Sequence, residues 1–268
     1  MISIPLLFSL IYFICNNLLG SNSFFHTNPE ELTLISHYSF WWFLIRFDIY
    51  SYFAYLLPLI ITIMSCNRFF SIYHSGYIYN FIHRMSYKKF MKKIILSSWI
   101  KNLILPLLFL LLFIITIVIF PNAKIVDPAK VERLLFPFQS GHEYMLKMNP
   151  LLFVTLYLII IFLYGVFITN LGLIVCRYIK KFSLFVIANY IVFMILENIL
   201  NFFVAPFVKM ITNYDRMING FSILNIYYLD GIPSLWWEYI WVIFLIVITS
   251  LIVYKTYSNE EEVLIDYE

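Results

Sequence analysis

Long apolar runs, separated by short polar or charged segments, cover most of the chain. Six of them contain 18 to 26 residues each and lie at 2–19, 51–70, 102–120, 151–176, 182–206 and 235–254. An α-helix rises about 1.5 Å per residue, so each run is long enough to cross a hydrocarbon core of about 30 Å. The pattern predicts an all-α, polytopic membrane protein in which residues 1–268 form a single transmembrane domain. We number its six predicted spans 1 to 6 in chain order.

Prolines and aromatic residues add detail to these spans. Span 1 has no basic residues before its apolar run and no A-x-A-like cleavage site after it, which favours a retained span over a signal peptide. Pro58 lies inside span 2, where we expect it to kink the helix while neighbouring helices satisfy the freed carbonyl group. Paired tryptophans before span 2 (Trp41 and Trp42) and in span 6 (Trp236 and Trp237) are typical of an aromatic belt at the membrane interface.

Composition supports the membrane assignment. Hydrophobic residues make up 62% of the chain and charged residues 12%, whereas globular domains contain about 25% charged residues. This is too little polar surface to cover a water-soluble fold. The three cysteines (Cys15, Cys66 and Cys176) lie within or at the ends of apolar runs, so no disulfide is predicted.

The distribution of basic residues predicts the topology. The segments 67–101, 176–181 and 255–268 hold eleven Lys and Arg residues, while the loops 20–50, 121–150 and 207–234 hold seven over a greater length. Because Lys and Arg near span ends favour the cytoplasmic side, the three loops are expected outside and both termini in the cytoplasm.

The chain contains no sequence motif for catalysis, phosphate binding or metal binding, and its five histidines lack a second ligand at helical spacing. We therefore expect no enzyme activity, no metal and no cofactor. Glu197 in span 5 is the one ionisable group deep in an apolar run, and Asn201 follows it by one helical turn. Two interpretations stay open: Glu197 and Asn201 line a substrate route or a dimer interface, or Glu197 is a protonated acid hydrogen-bonded to a neighbouring helix.

The segment 74–101, between spans 2 and 3, is the most basic part of the chain. Its apolar residues at 78, 81, 82 and 85 form a helical stripe, which restarts at Tyr87, and Ser86 between the two is a candidate N-cap. The pattern predicts a short surface helix followed by a capped helix that continues into span 3. One interpretation of the surface helix is an interfacial helix whose lysines contact anionic lipid.

The order S-G-Y-I-Y-N-F-I-H-R-M-S-Y-K-K-F-M-K-K at 75–93 resembles the permease subunits of type-2 ABC exporters. In that family a Gly precedes a short coupling helix, which is followed by an Arg, a capping residue and a Lys entering the next span. Six spans, a short basic turn between spans 4 and 5 and an external insertion between spans 5 and 6 also match. The chain departs from the family in two respects: it starts apolar at Ile2, so the usual amphipathic helix before span 1 is expected to be absent or the start to be unusual, and loop 121–150 is longer than in many relatives. By this resemblance the residues that couple to the ATP-binding subunit are Gly76, Tyr77, Phe81, Arg84, Ser86, Lys88 and Lys92.

The resemblance implies a membrane-spanning subunit of an ATP-driven exporter in the bacterial plasma membrane. ATP would be bound by a separate ATP-binding cassette subunit, and a second permease copy or paralogue would complete the route through the lipid bilayer, with no nucleic-acid partner. The abundance of aromatic residues suits a hydrophobic or amphipathic substrate such as a peptide or lipid. The alternatives are a secondary transporter, although no internal repeat is visible, and an accessory or immunity membrane protein without transport activity of its own.

Overall fold

The computed structural model describes residues 36–38, 41, 48–75, 86–119, 149–204 and 235–258, and every regular element in these ranges is helical. Five helical runs are long and apolar enough to cross a membrane: Tyr55–His74, Tyr87–Val118, Pro150–Cys176, Phe182–Ile199 and Tyr239–Tyr257. They correspond to predicted spans 2 to 6, and we keep those names. The described part of the chain is therefore all-helical and able to span a membrane. Predicted span 1, most of the three loops and the C-terminal tail from 259 lie outside the described residues.

Span 2 contains three helical segments in succession. They are an α-helix at Asp48–Ile61, a π-helical turn at Thr62–Cys66 and an α-helix at Asn67–His74. Pro58, where we expected a kink, lies inside the first segment, and the π turn begins four residues later. Proline has no backbone N–H and interrupts the regular hydrogen-bond ladder, and π turns are found where that ladder is disturbed. The Thr62 hydroxyl donates to the Pro58 carbonyl oxygen at 2.7 Å across this region.

Span 3 is a 32-residue helical run that begins well before the predicted boundary at 102. Its α-helix Tyr87–Ile100 leads through a 3₁₀ turn, Lys101–Leu103, into the α-helix Ile104–Ile119. The prediction of a helix that starts after Ser86 and continues into the apolar run of span 3 is confirmed. Ser86 occupies the N-cap position with extended backbone angles (φ −60°, ψ 140°), but its side chain makes no capping hydrogen bond. The 3₁₀ turn precedes Pro106, which has no N–H to donate to the carbonyl one turn earlier.

Spans 4, 5 and 6 lie close to their predicted positions. They are the α-helices Pro150–Cys176, Phe182–Ile199 and Leu235–Tyr257, and a π-helical turn at Leu200–Val204 extends span 5. The basic turn at 177–181 joins spans 4 and 5, with a hydrogen bond of 2.9 Å from the Phe185 amide to the Lys181 carbonyl oxygen at the start of span 5.

The described residues divide between two units, one within Met1–Tyr55 and Leu107–Leu158, and the other within Leu56–Pro106 and Ile159–Glu268. The core of the first unit is aromatic. Trp41 is fully buried there, its indole N–H donates to the Phe109 carbonyl oxygen at 3.2 Å, and its ring packs edge-on against Phe113 and Tyr157. The expectation that Trp41 belongs to an interfacial belt is therefore wrong, because its one polar group is satisfied by the protein backbone.

The second unit has a core that is rich in aromatic residues near the ends of the spans. Its buried members come from all five described spans, and we call them the basic-end cluster because Lys88, Lys92 and Arg177 lie at the same span ends. The cluster comprises Cys66, Phe69, Phe70, Tyr73, Tyr87, Phe90, Met91, Leu173, Val175, Cys176, Phe185, Val186, Val253 and Tyr257. Contact between span ends across such a core makes this end of the unit resistant to independent motion of single helices.

Candidate functional site

The seven residues assigned to coupling are only partly described. Ser86, Lys88 and Lys92 lie at the start of span 3 and are exposed, whereas Gly76, Tyr77, Phe81 and Arg84 lie outside the described residues. The helix that carries the three described residues also contributes Tyr87, Phe90 and Met91 to the basic-end cluster. One face of this helix is therefore packed against the other spans, and the opposite face is accessible.

Hydrogen bonds join the span ends within the basic-end cluster. The Tyr87 hydroxyl in span 3 donates to the Tyr257 carbonyl oxygen in span 6 at 3.1 Å. The Tyr257 hydroxyl donates in turn to the Leu173 carbonyl oxygen in span 4 at 2.7 Å. His74, at the end of span 2, places Nε2 3.0 Å from the Cys176 carbonyl oxygen at the end of span 4. Each bond reaches a carbonyl in the last turn of a helix, where intrahelical donors run out.

A chain of neutral polar groups crosses the second unit between spans 3, 4 and 2. Asn102 Nδ2 donates to Thr169 Oγ1 at 2.9 Å, and the Thr169 hydroxyl donates to Ser65 Oγ at 2.9 Å. The Ser65 hydroxyl donates to the Ile61 carbonyl oxygen at 2.7 Å. The side chains of Asn102, Thr169 and Ser65 are buried, so the three spans are held in one register by bonds that lipid cannot replace.

Asn170, the residue after Thr169, forms a second group of polar contacts. Its Oδ1 accepts a hydrogen bond from the Trp99 indole N–H in span 3 at 2.8 Å. Its Nδ2 donates to Ser250 Oγ at 2.9 Å and to Thr249 Oγ1 at 3.2 Å, both in span 6. The side chain is fully buried, and span 4 is thereby linked to spans 3 and 6.

Span 5 joins the same unit through one buried amide. Asn189 Nδ2 donates to Thr62 Oγ1 at 2.6 Å, and both residues are fully buried. Thr62 lies in the π turn of span 2. Its hydroxyl hydrogen is directed to the Pro58 carbonyl oxygen, so Thr62 Oγ1 is free to accept from Asn189. Polar side chains from spans 2 to 6 all take part in these contacts.

Glu197 lies on the buried side of span 5, two turns beyond Asn189, and only 4% of its surface is exposed. Asn198 is exposed and donates to the Met194 carbonyl oxygen within its own helix at 2.7 Å. The two residues therefore face in different directions, as expected from the 100° rotation per helical residue. The side chain of Asn201 lies outside the described set, and both interpretations of Glu197 remain open.

The buried polar contacts were not predicted from the sequence. Inside the spans only Glu197 and Asn201 were singled out, whereas Asn102, Thr169, Asn170 and Asn189 all have polar partners on other spans. The available signal was an amide inside the apolar runs of spans 3, 4 and 5. The members of these contacts are amides, hydroxyls and an indole, which neither ionise nor react near neutral pH. Their chemistry suits holding helices together or lining a polar path.

Among the described residues, no group of three or more His, Cys, Asp or Glu side chains is placed to hold a metal ion. Cys66 and Cys176 are buried free thiols. Cys66 Sγ lies 3.7 Å from the Thr169 carbonyl oxygen and 3.6 Å from Ser65 Oγ. These are packing contacts and weak hydrogen bonds rather than a redox pair.

No protein-family model, no curated protein and no solved structure matches this chain.

Proposed function

We propose that this chain is the membrane-spanning subunit of an ATP-driven exporter, powered by a separate ATP-binding subunit that docks at its basic end. The observation that carries the proposal is the continuity of span 3. A single helical run extends from Tyr87, next to the candidate coupling segment, through 32 residues to Val118. A helix of that length is about 48 Å long, so it exceeds the hydrocarbon core by about 18 Å. A displacement applied to its projecting end would be carried directly into the membrane.

The basic-end cluster supports the same proposal. Each of spans 2 to 6 contributes at least one buried side chain to this cluster. Examples, in span order, are Tyr73, Phe90, Cys176, Phe185 and Tyr257. Because closely packed side chains transmit displacement rather than absorb it, a force on the start of span 3 would move the ends of the other spans with it. Rigid-body gating of this kind is a common way for a ligand-dependent state at one site to change access at another.

The exposed face at the start of span 3 is positively charged and could bind an acidic surface of a partner. Lys88, Lys89 and Lys92 are all exposed there. In the proposed orientation the positive-inside tendency places these lysines on the cytoplasmic side of a bacterial plasma membrane. A second permease copy or paralogue would complete the translocation route, and the substrate would be a hydrophobic or amphipathic molecule such as a peptide or lipid.

A secondary transporter is the second candidate, and a specific observation favours it. Spans 2 and 3 each contain an irregular turn, Thr62–Cys66 and Lys101–Leu103, and buried polar side chains from both turns join the contacts with span 4. Secondary transporters contain broken helices with polar side chains at membrane depth, and these irregular turns within otherwise continuous helical runs resemble that feature. In that case the polar contacts would lie next to the substrate and no ATP-binding partner would exist.

Affinity purification distinguishes the two candidates. The tagged full chain is extracted from native membranes in mild detergent, and proteins that stay bound are identified by mass spectrometry. We expect a stoichiometric partner whose sequence contains a phosphate-binding loop. Recovery of the chain alone, or only with itself, would exclude the ATP-driven proposal and favour the secondary transporter.

Charge reversal locates the docking surface. Arg84→Glu and Lys88→Glu are each expected to reduce recovery of the ATP-binding partner at least tenfold, since a like-charge contact at an interface costs several kcal/mol and each 1.4 kcal/mol is a factor of about ten. The matched control is Lys181→Glu, which reverses an exposed lysine in the turn between spans 4 and 5. Equal recovery from all three variants would show that the start of span 3 is not the docking surface, provided that each variant elutes as the wild type does.

A further inference from the structure

A basic pocket lies between spans 2 and 3, separate from the buried polar contacts. Its cavity volume is about 140 Å³, and it opens beside a shallower hollow of about 520 Å³. Arg68, Ile72 and Lys101 line both spaces, and Lys93 lines the smaller one. Within the part of the chain that the structure describes, no carboxylate lines either space and no Asp or Glu forms an ion pair with Arg68, Lys93 or Lys101.

The remaining walls of the pocket are of two kinds. Ser97 and Ser98 supply hydroxyl groups on the span 3 side, while Phe69, Ile72 and Ile94 supply apolar surface. Guanidinium and ammonium groups together with hydroxyls are the donors that bind phosphate oxygens, and Arg offers a bidentate fork for them. The apolar walls suit the first methylene groups of a lipid's acyl chains.

The position of the pocket along span 3 selects the source of the phosphate. About 20 helical residues cross a hydrocarbon core of about 30 Å. The last 20 residues of span 3 run from Trp99 to Val118. Ser98 and Lys101, which line the pocket, therefore lie at the edge of this stretch. Residues 102–118 carry no charge, so Lys101 marks the boundary of the apolar region. The pocket therefore opens at the depth of the lipid headgroups.

Arg68 and Lys93 are exposed and Lys101 is half-buried, so all three can reach an anion at this depth. No carboxylate of the described residues neutralises them, and a bound anion would relieve the repulsion among their positive charges. We propose that this pocket binds the phosphate of an anionic phospholipid, with Arg68 and Lys101 contacting the phosphate and Lys93 adding to its attraction. This site is distinct from a general attraction of surface lysines for the membrane, because Lys88, Lys89 and Lys92 do not line it. It does not depend on whether the chain exports a substrate.

Native mass spectrometry of the purified full chain tests the proposal. The chain is titrated with phosphatidylglycerol, with phosphatidylcholine of the same acyl chains, and with inorganic phosphate. We expect one phosphatidylglycerol to bind per chain, with higher affinity than phosphatidylcholine, and to stay bound in millimolar phosphate. Equal affinity for the two lipids would overturn the site. Displacement of the lipid by inorganic phosphate would assign the pocket to a soluble anion and overturn the lipid proposal.

Charge variants test the residues. A basic side chain near an anionic headgroup contributes about a fivefold gain in affinity, so the double variant Arg68→Gln with Lys101→Gln is expected to weaken phosphatidylglycerol binding about thirtyfold. The matched control, Lys89→Gln with Lys181→Gln, removes the same charge from exposed positions and is expected to change affinity less than about twofold, since neither side chain lines the pocket. Equal weakening in the two double variants would mean that only the overall charge attracts lipid.

A steric variant keeps the test informative if the charge variants fold poorly. Ile94→Trp fills the pocket from its apolar wall and retains all three basic residues. We expect it to lose phosphatidylglycerol binding, while Lys101→Arg, which keeps the charge, retains it. Unchanged lipid binding by Ile94→Trp would place the lipid elsewhere and overturn the proposal.

Discussion

The close approach of span 4 to span 2 at Gly172 gives a sharp test of packing in the second unit. A Cβ atom added at Gly172 in span 4 would lie 2.8 Å from Cys66 Sγ in span 2 and 3.4 Å from Asn189 Nδ2. Optimal separations between carbon-sized atoms are about 3.5–4.0 Å, so the sulfur would have to move by about 1 Å. Cys66 is fully buried, which leaves little room for that movement. Gly172→Ala is therefore expected to strain this contact.

Two opposing effects decide how much Gly172→Ala changes the free energy of unfolding. Overpacking a well-packed core costs about 1–3 kcal/mol, whereas alanine is favoured over glycine inside a helix by about 1 kcal/mol. Gly172→Ala should therefore lower the free energy of unfolding by up to about 2 kcal/mol. In a Cys66→Ala background the sulfur is absent and the strain disappears. The same glycine substitution should then be neutral or stabilise the protein by about 1 kcal/mol.

The assay is a double-mutant cycle of SDS-induced unfolding in mixed micelles, with the free energy of unfolding measured for all four proteins. The expected coupling energy is about 1–3 kcal/mol, with the double variant more stable than the sum of the single effects predicts. Gly165→Ala is the matched control, because its added Cβ would meet Asn102 at 3.0 Å, and its effect should not depend on Cys66. If Gly172→Ala changes the free energy of unfolding equally in the wild-type and Cys66→Ala backgrounds, Gly172 of span 4 does not pack against Cys66 of span 2.

Two further predictions concern other buried groups of the second unit. Tyr87→Phe and Tyr257→Phe should each lower the free energy of unfolding by about 0.5–1.5 kcal/mol, because each removes a buried hydrogen bond from a hydroxyl to a carbonyl. Tyr254→Phe, at an exposed position, is the control. An equal loss of stability in the control would contradict these two buried hydrogen bonds. Cys66 and Cys176, examined in a variant without the third cysteine, should resist a membrane-permeant maleimide in native membranes and react after SDS denaturation. Rapid native labelling of either thiol would show that it is not buried.

Local sequence determined the spans. Spans 4, 5 and 6 lie near their predicted positions because an uninterrupted apolar run of sufficient length is a property of composition alone. The start of span 3 after Ser86 was also predictable, since the apolar stripe restarts there at helical spacing. The π turn at Thr62–Cys66 was not, although Pro58 indicated an irregularity nearby. A proline shows that a hydrogen bond is lost but not how the following turn compensates for it.

Only the tertiary structure decided which polar groups meet. An asparagine such as Asn102 or Asn170 in an apolar run indicates that a partner is needed, because an unsatisfied amide is costly in lipid. The partner itself lies 67 residues away for Asn102 and 79 for Asn170, and its identity depends on the rotation and register of each helix. Trp41 illustrates the same limit, since an indole suits both a membrane interface and a buried core, and only the nearby Phe109 carbonyl selects the core. Local sequence fixes how a helix is formed, whereas contacts between distant helices depend on their packing in three dimensions.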